Sequence, residues 1–291
     1  MISSEKCKKK LLKKLTIITL LIFSLEFLYS YNTQKMHFLN PRMNENIIKI
    51  FISAHKDFKN YRLNPIYIIV ADEKSQLNEK YNLNIIYANE GKLFTKKKSY
   101  GEMAKIYYIY RLYQNETFST KYIGFCHYRR YFSFGDNIPD LDYIFSNYDV
   151  ILFKKINIQV SVREHYCQNH ICSNYEQILE IIKENKPEYY EAALKVSNNT
   201  KLFFWNTFIM KKEDFFKYCK FMFDILFEFD KRNNFTSDKD VLNYTKKIFY
   251  NNINESDYQS RLAGFLAERI SNIFYLKNFK KIKSFQYHYN N

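Results

Sequence analysis

Short apolar runs alternate with amphipathic stretches along the first half of the chain. Runs rich in β-branched and aromatic residues lie at 47–53, 65–71, 84–88, 121–125 and 149–153. Runs of this length and composition, bounded by polar residues, predict buried β-strands. Apolar residues also recur at helical spacing over residues 100–114. The alternation predicts an α/β fold in which helices flank a mainly parallel sheet.

The second half of the chain is predicted to be mostly helical. An apolar run at 202–210 predicts one more strand. The predicted helices cover residues 175–184, 187–196, 212–230 and 257–276. Polar residues 231–237 end the third of these helices, although they include neither Gly nor Pro. No internal repeat is found, and we predict a single domain over residues 47–291.

A lysine-rich tail at residues 1–14 precedes an apolar segment at residues 15–31. The segment is near the short limit for a bilayer span, and Glu26 interrupts it. Because basic residues stay on the cytoplasmic side, we predict a single-pass membrane anchor with a cytoplasmic N-terminus, followed by a linker at 32–46. A cleaved signal peptide and an interfacial helix are the alternatives. The anchored domain would occupy a Golgi-type lumen in a eukaryote and lie at the cell membrane in a bacterium.

The chain of 291 residues carries a net charge of +15, and 46% of its residues are hydrophobic, enough for a sizeable core. Much of the basic excess is at the two ends, which suits anionic lipid headgroups better than nucleic acid. The sequence has no zinc-finger spacing, no aromatic RNA-binding signature and no basic heptad region. We therefore predict a membrane as a partner, and no nucleic acid.

The five cysteines include no Cys-x-x-Cys pair. Cys167 and Cys172 are at the wide end of zinc-ligand spacing, and His165 and His170 are interleaved with them. No second pair follows to complete a zinc site. The cysteines are therefore predicted to be buried free thiols.

Polar side chains follow the first and fourth predicted strands. His55 and Lys56 come after the first strand, and residues 127–130 come after the fourth. The carboxyl ends of parallel strands meet at one edge of a sheet, where ligands bind. We therefore expect these side chains to lie close together.

Arg129 and Arg130 are adjacent at the end of a buried strand, where an unpaired charge is costly. They need anions. A planar guanidinium suits phosphate oxygens, and the alternative is ion pairing with Asp136, Asp140 or Asp142. The residues alone leave both interpretations open.

The box Tyr122-Ile-Gly-Phe-Cys-His-Tyr-Arg-Arg-Tyr-Phe132 resembles the hallmark of a family of capsular and exopolysaccharide glycosyltransferases, long catalogued as a domain of unknown function. Members carry a strand followed by "cHYRRYF". Other segments resemble the family's elements in the same order: ISAHK at 52–56, YGEMAKIYY at 100–108, YCQNH at 166–170, WNTFIM at 205–210 and RLAGFLAER at 261–269. The resemblance covers residues 48–275. It departs at residues 89–98, where the family has a "GDNIS"-like segment, and this leaves the choice of donor open.

The resemblance implies a Rossmann-like, GT-A-type fold and a hexosyltransferase, with galactofuranose among the candidate sugars. The implied donor is a nucleotide-sugar, expected to be UDP-linked, and the implied acceptor is a saccharide or lipid-linked saccharide in polysaccharide or glycan synthesis. Many GT-A enzymes hold a divalent metal with an Asp-x-Asp after the fourth strand. Arg129 and Arg130 stand near that position here, and we predict that they stabilise the leaving diphosphate without a metal. No metal ligand or cofactor is assigned, and Mn²⁺ or Mg²⁺ is the alternative.

The remaining predictions concern single residues. Glu268 is the predicted general base for the acceptor hydroxyl, with an ion pair to Arg261 or another nearby cation as its alternative. The predicted donor-binding residues are His55, Lys56, His127, Tyr128 and Asn206. The residues predicted to contact the acceptor or support the structure are Tyr166, His170, Glu102, Arg261 and Arg269. Asn206 and His170 have purely structural alternatives, and Glu102 has the alternative of opposing a helix dipole.

Two other classes of function stay open. One is a catalytically inert glycan-binding or scaffold protein of the same fold, which would have lost affinity for UDP. The other is a nucleic-acid or anionic-lipid-binding module driven by charge, whose binding would depend steeply on salt.

Overall fold

The computed structural model describes residues 47–55, 65–72, 84–132, 134, 138–250 and 252–286, with the backbone of 288–289. The predicted tail, membrane segment and linker at residues 1–46 lie outside the described residues, and so does Lys56. Within the described part of the chain, no helix is both long enough and apolar enough to cross a membrane.

The strands form one large mixed sheet and a small pair. They are β1 (Ile48–Ser53), β2 (Tyr67–Ala71), β3 (Ile85–Tyr87), β4 (Tyr122–His127), β5 (Arg130–Tyr131), β6 (Val150–Phe153), β7 (Ile156–Asn157), β8 (Lys201–Leu202), β9 (Phe208–Lys211), β10 (Ile282–Phe285) and β11 (His288–Tyr289). The main order is β10-β6-β9-β4-β1-β2-β3, with β5 and β11 beside β4. The strands β3, β2, β1 and β4 are parallel, as are β6 and β10, whereas β9 is antiparallel to both its neighbours. The predicted α/β class with a mainly parallel sheet is confirmed.

The α-helices of the described residues are α1 (Lys97–Tyr100), α2 (Glu102–Gln114), α3 (Leu141–Asn147), α4 (Val162–Asn169), α5 (Cys172–Asn185), α6 (Pro187–Ser197), α7 (Lys212–Arg232), α8 (Asp238–Ile248), α9 (Ile253–Gln259) and α10 (Leu262–Asn278). The proline that opens α6 stands at the first helical turn, where its missing N–H has no helical partner to lose. Most of these helices cover one face of the sheet, and α3 covers the other.

Alternating side chains of the central strands build two hydrophobic cores. In β1, Ile50 and Ile52 belong to the core on the α3 side, while Phe51 belongs to the core beneath α2, α7 and α10. This two-residue period is what a strand buried on both faces requires. The sheet is therefore sandwiched between helical layers, and its carboxyl edge stays open for ligands.

The predicted strand at 202–210 is wrong in its middle. β8 ends at Leu202 and β9 begins at Phe208, and in the connection between them Trp205 and Asn206 have left-handed φ angles of 69° and 46°. A left-handed backbone cannot continue a β-ladder. The apolar residues of this run reflect burial and do not reflect strand pairing.

One prediction about the C-terminal helices also needs correction, and one helix there was not predicted. The predicted helix at 257–276 is two helices, because α9 ends at Gln259 and α10 begins at Leu262. Residues 238–248 form α8, a helix that the sequence pattern does not predict. Ser237 and Asp240 cap that helix reciprocally, and this capping box is the local signal that starts it.

The prediction of free thiols is wrong for Cys167 and Cys172, which form a disulfide. The corner between α4 and α5 brings their Cα atoms to 4.3 Å, within reach of a covalent link. Cys126 and Cys219 are buried free thiols, as predicted.

Gly124 lies where β4 packs most closely against its neighbours. A Cβ at this position would come within 2.8 Å of the Ile50 side chain and 3.2 Å of the Ile209 side chain. We predict that Gly124→Ala lowers the free energy of unfolding by about 1–3 kcal/mol, because the tightly packed strands must shift. Urea denaturation of the two proteins measures the difference.

Gly264→Ala is the matched control, since its Cβ would meet backbone oxygen of Tyr100 at an ordinary 3.4 Å and would favour α10. Equal stability of Gly124→Ala and the wild-type chain would contradict the close packing of β4.

Candidate functional site

A cleft of about 570 Å³ lies at the carboxyl edge of the parallel strands. Ser53 ends β1 and His55 follows it, Asp72 follows β2, and His127 ends β4. In the β1–β4 ladder Ser53 is directly opposite His127, which brings the two polar strand ends together. The predicted meeting of His55 with residues 127–130 at one edge is confirmed.

Residues 127–131 form a hairpin at this edge. His127 of β4 pairs with Arg130 of β5, and Tyr128 and Arg129 make the turn between them. The Tyr128 N–H donates to the Ser53 carbonyl at 3.0 Å, and the Tyr128 side chain is buried. Buried Tyr131 then anchors the returning strand. The turn therefore presents Arg129 and Arg130 to the cleft on a fixed backbone.

The two arginines have different surroundings. Arg129 is exposed at the tip of the turn, and no carboxylate among the described residues forms an ion pair with it. Arg130 is half-buried, and its guanidinium lies 4.3 Å from the centre of the Trp205 ring. A planar guanidinium stacked in this way keeps its outer N–H groups directed at the rim of the stack.

The acidic residues proposed as alternative partners of the arginines have other contacts. Asp140 caps α3 by accepting from the Tyr143 N–H at 3.0 Å. Asp142 accepts from Lys121 at 2.6 Å and from the Tyr122 hydroxyl at 2.5 Å. The third, Asp136, lies outside the described residues. Local ion pairing with Asp140 or Asp142 therefore does not account for the arginine pair.

His127 is held in its neutral form. Burial and, second to it, the nearby charge of Arg129 lower its pKa to about 3. Its Nδ1 accepts from the Arg129 backbone N–H at 3.2 Å, so the proton of the neutral ring is on Nε2. His55 is close by, with its ring 5.0 Å from that of Tyr128. His127 thus contributes an Nε2–H donor on this side of the cleft.

The opposite wall is built by α2 and α10. Glu102 and Lys105 lie one turn apart on α2, and Arg261 and Glu268 belong to the beginning and the second turn of α10. Lys105 donates to the Ala54 carbonyl at 2.9 Å, which ties α2 to the end of β1. The buried face of α2 carries Met103, Ile106, Ile109 and Tyr113. That stripe turns Glu102 and Lys105 toward the cleft.

Two carboxylates hold the left-handed turn at Trp205 and Asn206. Glu268 accepts a hydrogen bond from the backbone N–H of Trp205 at 3.2 Å. Glu102 accepts one from the side-chain N–H of Asn206 at 3.0 Å. The Asn206 side-chain oxygen accepts from the Ser271 hydroxyl at 2.9 Å. A left-handed Trp is unusual and persists only where surrounding contacts require it.

The cleft is rich in positive charge. Three of the described lining residues are carboxylates: Asp72, Glu102 and Glu268. Six are basic: Lys97, Lys98, Lys105, Arg129, Arg130 and Arg261. Burial lowers the pKa of Lys105, and Asp72 opposes this shift at 3.4 Å from the ammonium. The surplus of cations favours an anionic ligand.

Burial raises the pKa of the two carboxyl groups that face the cleft, Glu102 of α2 and Glu268 of α10. The pKa of Glu102 rises to about 7, with burial as the largest cause and the charge of Glu268 as the second. The pKa of Glu268 is also raised by burial, while the Arg269 guanidinium opposes the rise. Perturbed carboxyls in a cleft of this kind are typical of functional sites.

Four predicted residues lie behind the wall of the cleft. Asn206 is buried with both ends of its amide bonded to protein. Arg269 is only 2% exposed and donates to Glu268 at 2.9 Å. Tyr166 packs under Arg269, and the His170 ring stacks on Phe265 at 4.1 Å. Their contacts suit support of the site, and their predicted roles stay untested.

The sequence interpretation missed Asp72, Lys105 and Trp205. Asp72 directly follows a predicted strand, so the rule that located His55 would also have found it. Lys105 is three residues from Glu102, which places both on one helix face. Trp205 could not be found in this way, because its position depends on a turn that the sequence does not announce.

One group of three possible metal ligands occurs among the described residues, and it consists of Cys167, Cys172 and Glu176. Its two sulfurs form the disulfide between α4 and α5. None of the three lines the cleft.

The chain belongs to the family described as "Domain of unknown function (DUF4422)", which matches residues 49–279. No curated protein matches the chain. Among solved structures it is similar to the apo structure of WbbM, a bifunctional glycosyltransferase, with a TM-score of 0.62 and 21% sequence identity. The similarity covers 84% of this chain and 45% of that chain, so this chain spans less than half of the WbbM chain. At this identity the similarity establishes the fold.

The raised pKa of Glu102 predicts a pH-dependent stability difference. The folded chain holds this proton up to about pH 7, whereas the unfolded chain releases it near pH 4.5. The carboxyl therefore costs stability progressively as the pH rises between those values. We predict that Glu102→Gln gains stability relative to the wild-type chain over this range, by up to about 3 kcal/mol.

Urea denaturation of both proteins between pH 4.5 and 7.5 measures this difference. Glu180→Gln, on the exposed face of α5, is the matched control for removing one carboxylate. A trend of the same size in the control would contradict burial at Glu102 as the cause.

Proposed function

We propose that this chain is a glycosyltransferase that moves a hexose from a nucleotide-sugar, with UDP as the expected nucleotide, to a saccharide or lipid-linked saccharide acceptor in polysaccharide or glycan synthesis. One observation carries the proposal: Arg129 and Arg130 line the same cleft as Glu102 and Glu268. Transfer with inversion at the anomeric carbon uses both kinds of group. Fixed cations stabilise the charge on the leaving diphosphate, and a carboxylate takes the proton of the attacking hydroxyl.

The size and position of the cleft support a donor of this class. A volume of about 570 Å³ is within the usual range for small-molecule sites. The cleft lies beyond the carboxyl ends of β1, β2 and β4, where open α/β sheets bind their ligands. The likeness of the fold to that of a glycosyltransferase supports the same assignment.

The hairpin supplies the charge that a divalent metal would otherwise provide. Arg129 is exposed and accessible to diphosphate oxygens, and the neutral His127 beside it adds an N–H donor. Arg130 is oriented by its stacking on Trp205. We therefore favour metal-independent transfer, and Mn²⁺ or Mg²⁺ on the diphosphate is the alternative that the experiment below distinguishes.

A membrane partner completes the proposal. An anchor at residues 15–31 would hold the catalytic domain beside a lipid-linked acceptor, and the basic tail at residues 1–14 would contact anionic headgroups. No nucleic-acid partner is proposed.

Calorimetry with UDP tests the assignment. We predict saturable binding by the full chain that survives EDTA and is not increased by Mn²⁺. Arg129→Ala and Arg130→Ala should each weaken binding at least about tenfold, because each removes charge-assisted hydrogen bonds to the diphosphate. Arg163→Ala is the matched control: this arginine is exposed, pairs with Glu176 and lies outside the cleft.

Binding seen only with Mn²⁺ would retain the transferase and overturn the role of arginine in place of metal. Absence of UDP binding by the folded chain would favour the inert scaffold. Binding that falls steeply with salt concentration, to the same extent in the arginine variants and in the wild-type chain, would favour a nucleic-acid or anionic-lipid-binding module driven by charge.

A further inference from the structure

The two carboxylates that face the cleft from α2 and α10 are held differently. Both oxygens of Glu268 accept hydrogen bonds, one from the Trp205 N–H at 3.2 Å and the other from Arg269 at 2.9 Å. Glu102 accepts one hydrogen bond, from Asn206 at 3.0 Å. No other donor among the described residues reaches the Glu102 carboxylate. Glu102 therefore has an oxygen available to a ligand, whereas Glu268 is fixed at both of its oxygens.

The charges around Glu102 come from three directions. Glu268 faces it from α10, Arg261 faces it from the residue before α10, and Lys105 lies one turn along α2. Burial and the negative charge of Glu268 raise the pKa of Glu102 to about 7, while Arg261 and Lys105 oppose that rise. A proton acceptor works best when its pKa is near the operating pH. Glu102 meets that condition in addition to having an available oxygen.

The left-handed turn sets the direction of the Glu102 side chain. The Asn206 amide is fixed at its oxygen by Ser271 and donates from its nitrogen to Glu102. The neighbouring Trp205 is fixed by Glu268. One strained segment thus connects the two carboxylates, and a strained backbone of this kind is frequent at functional sites.

We propose that Glu102, rather than Glu268, accepts the proton of the acceptor hydroxyl, and that Glu268 is a positioning residue that fixes the turn beside Glu102 and places a negative charge near it. This rests on the transferase function proposed above. In the reaction the hydroxyl oxygen forms a bond to the anomeric carbon, and the bond from that carbon to the diphosphate breaks. The electron pair leaves with the diphosphate, and the hydroxyl proton moves to the available Glu102 oxygen. The proton returns to solvent when the product leaves.

The reaction is measured as release of UDP from UDP-galactose and from UDP-glucose. Each donor is tested with water as the acceptor and with a panel of saccharide acceptors. Glu102→Gln keeps an oxygen for the Asn206 N–H but cannot take a proton. We expect it to bind UDP within about twofold of the wild-type chain and to release UDP about 10²–10⁴-fold more slowly. The wild-type rate should rise with pH through about 7.

Glu268→Gln separates positioning from proton transfer. Removing its negative charge should lower the pKa of Glu102 and move the rising limb of the pH–rate profile to lower pH. If Glu268 had only a structural role, Glu268→Gln would reduce the rate and leave the rising limb of the pH–rate profile in place. That result would overturn the proposed roles of Glu102 and Glu268.

Infrared titration of the carboxyl groups decides the question without activity, should Glu102→Gln fail to bind UDP. The wild-type chain should show a carboxyl that titrates near pH 7 and shifts downward in Glu268→Gln. Absence of such a carboxyl would overturn the proposal.

The two proposals fail in distinguishable ways. A wild-type rate in Glu102→Gln, with UDP binding intact, would overturn the role of Glu102 and leave the transferase standing. A wild-type chain that neither binds UDP nor releases it from either sugar nucleotide would overturn the transferase, and the role of Glu102 with it.

Discussion

The connection between β8 and β9 crosses the protein interior, and α10 satisfies its backbone. Asn272 accepts from the Phe203 N–H at 2.9 Å and donates to the Phe203 carbonyl at 2.8 Å. Glu268, one turn earlier, accepts from the Trp205 N–H. Buried backbone groups left without partners are costly, so this segment can keep its left-handed path only while α10 stays in register. The position of Glu268 in the cleft follows from that structural requirement.

The arginine hairpin and the two cleft carboxylates come from different parts of the fold. The hairpin after β4 carries Arg129 and Arg130 on the sheet side, and its register is set by the pairing of β4 with β1. The carboxylates come from helices packed across the opening. Trp205 contacts both the arginine hairpin and the carboxylates. Its ring lies against the Arg130 guanidinium, and its backbone N–H donates to Glu268. The cleft therefore contains guanidinium and carboxylate groups that one indole residue connects.

Much of this arrangement was predictable from local sequence. Apolar periodicity predicts the central strands, α2 and α7. The rule that the carboxyl ends of parallel strands meet at one edge predicts that His55 lies near the arginine hairpin. The part that failed depends on contacts distant in sequence. The run at 202–210 is mostly apolar because most of it is buried, and nothing within it reveals the left-handed turn at Trp205 and Asn206. The antiparallel insertion of β9 beside β4, and the disulfide at the α4–α5 corner, are likewise set by tertiary packing.

A crystal structure of the full chain with UDP tests the central claim most directly, because it locates the diphosphate relative to the hairpin. The account predicts that diphosphate oxygens lie within hydrogen-bonding distance of the Arg129 and Arg130 guanidinium groups, at the carboxyl ends of β1 and β4. A diphosphate bound elsewhere, or held by a metal ion with both arginines turned away, would contradict it.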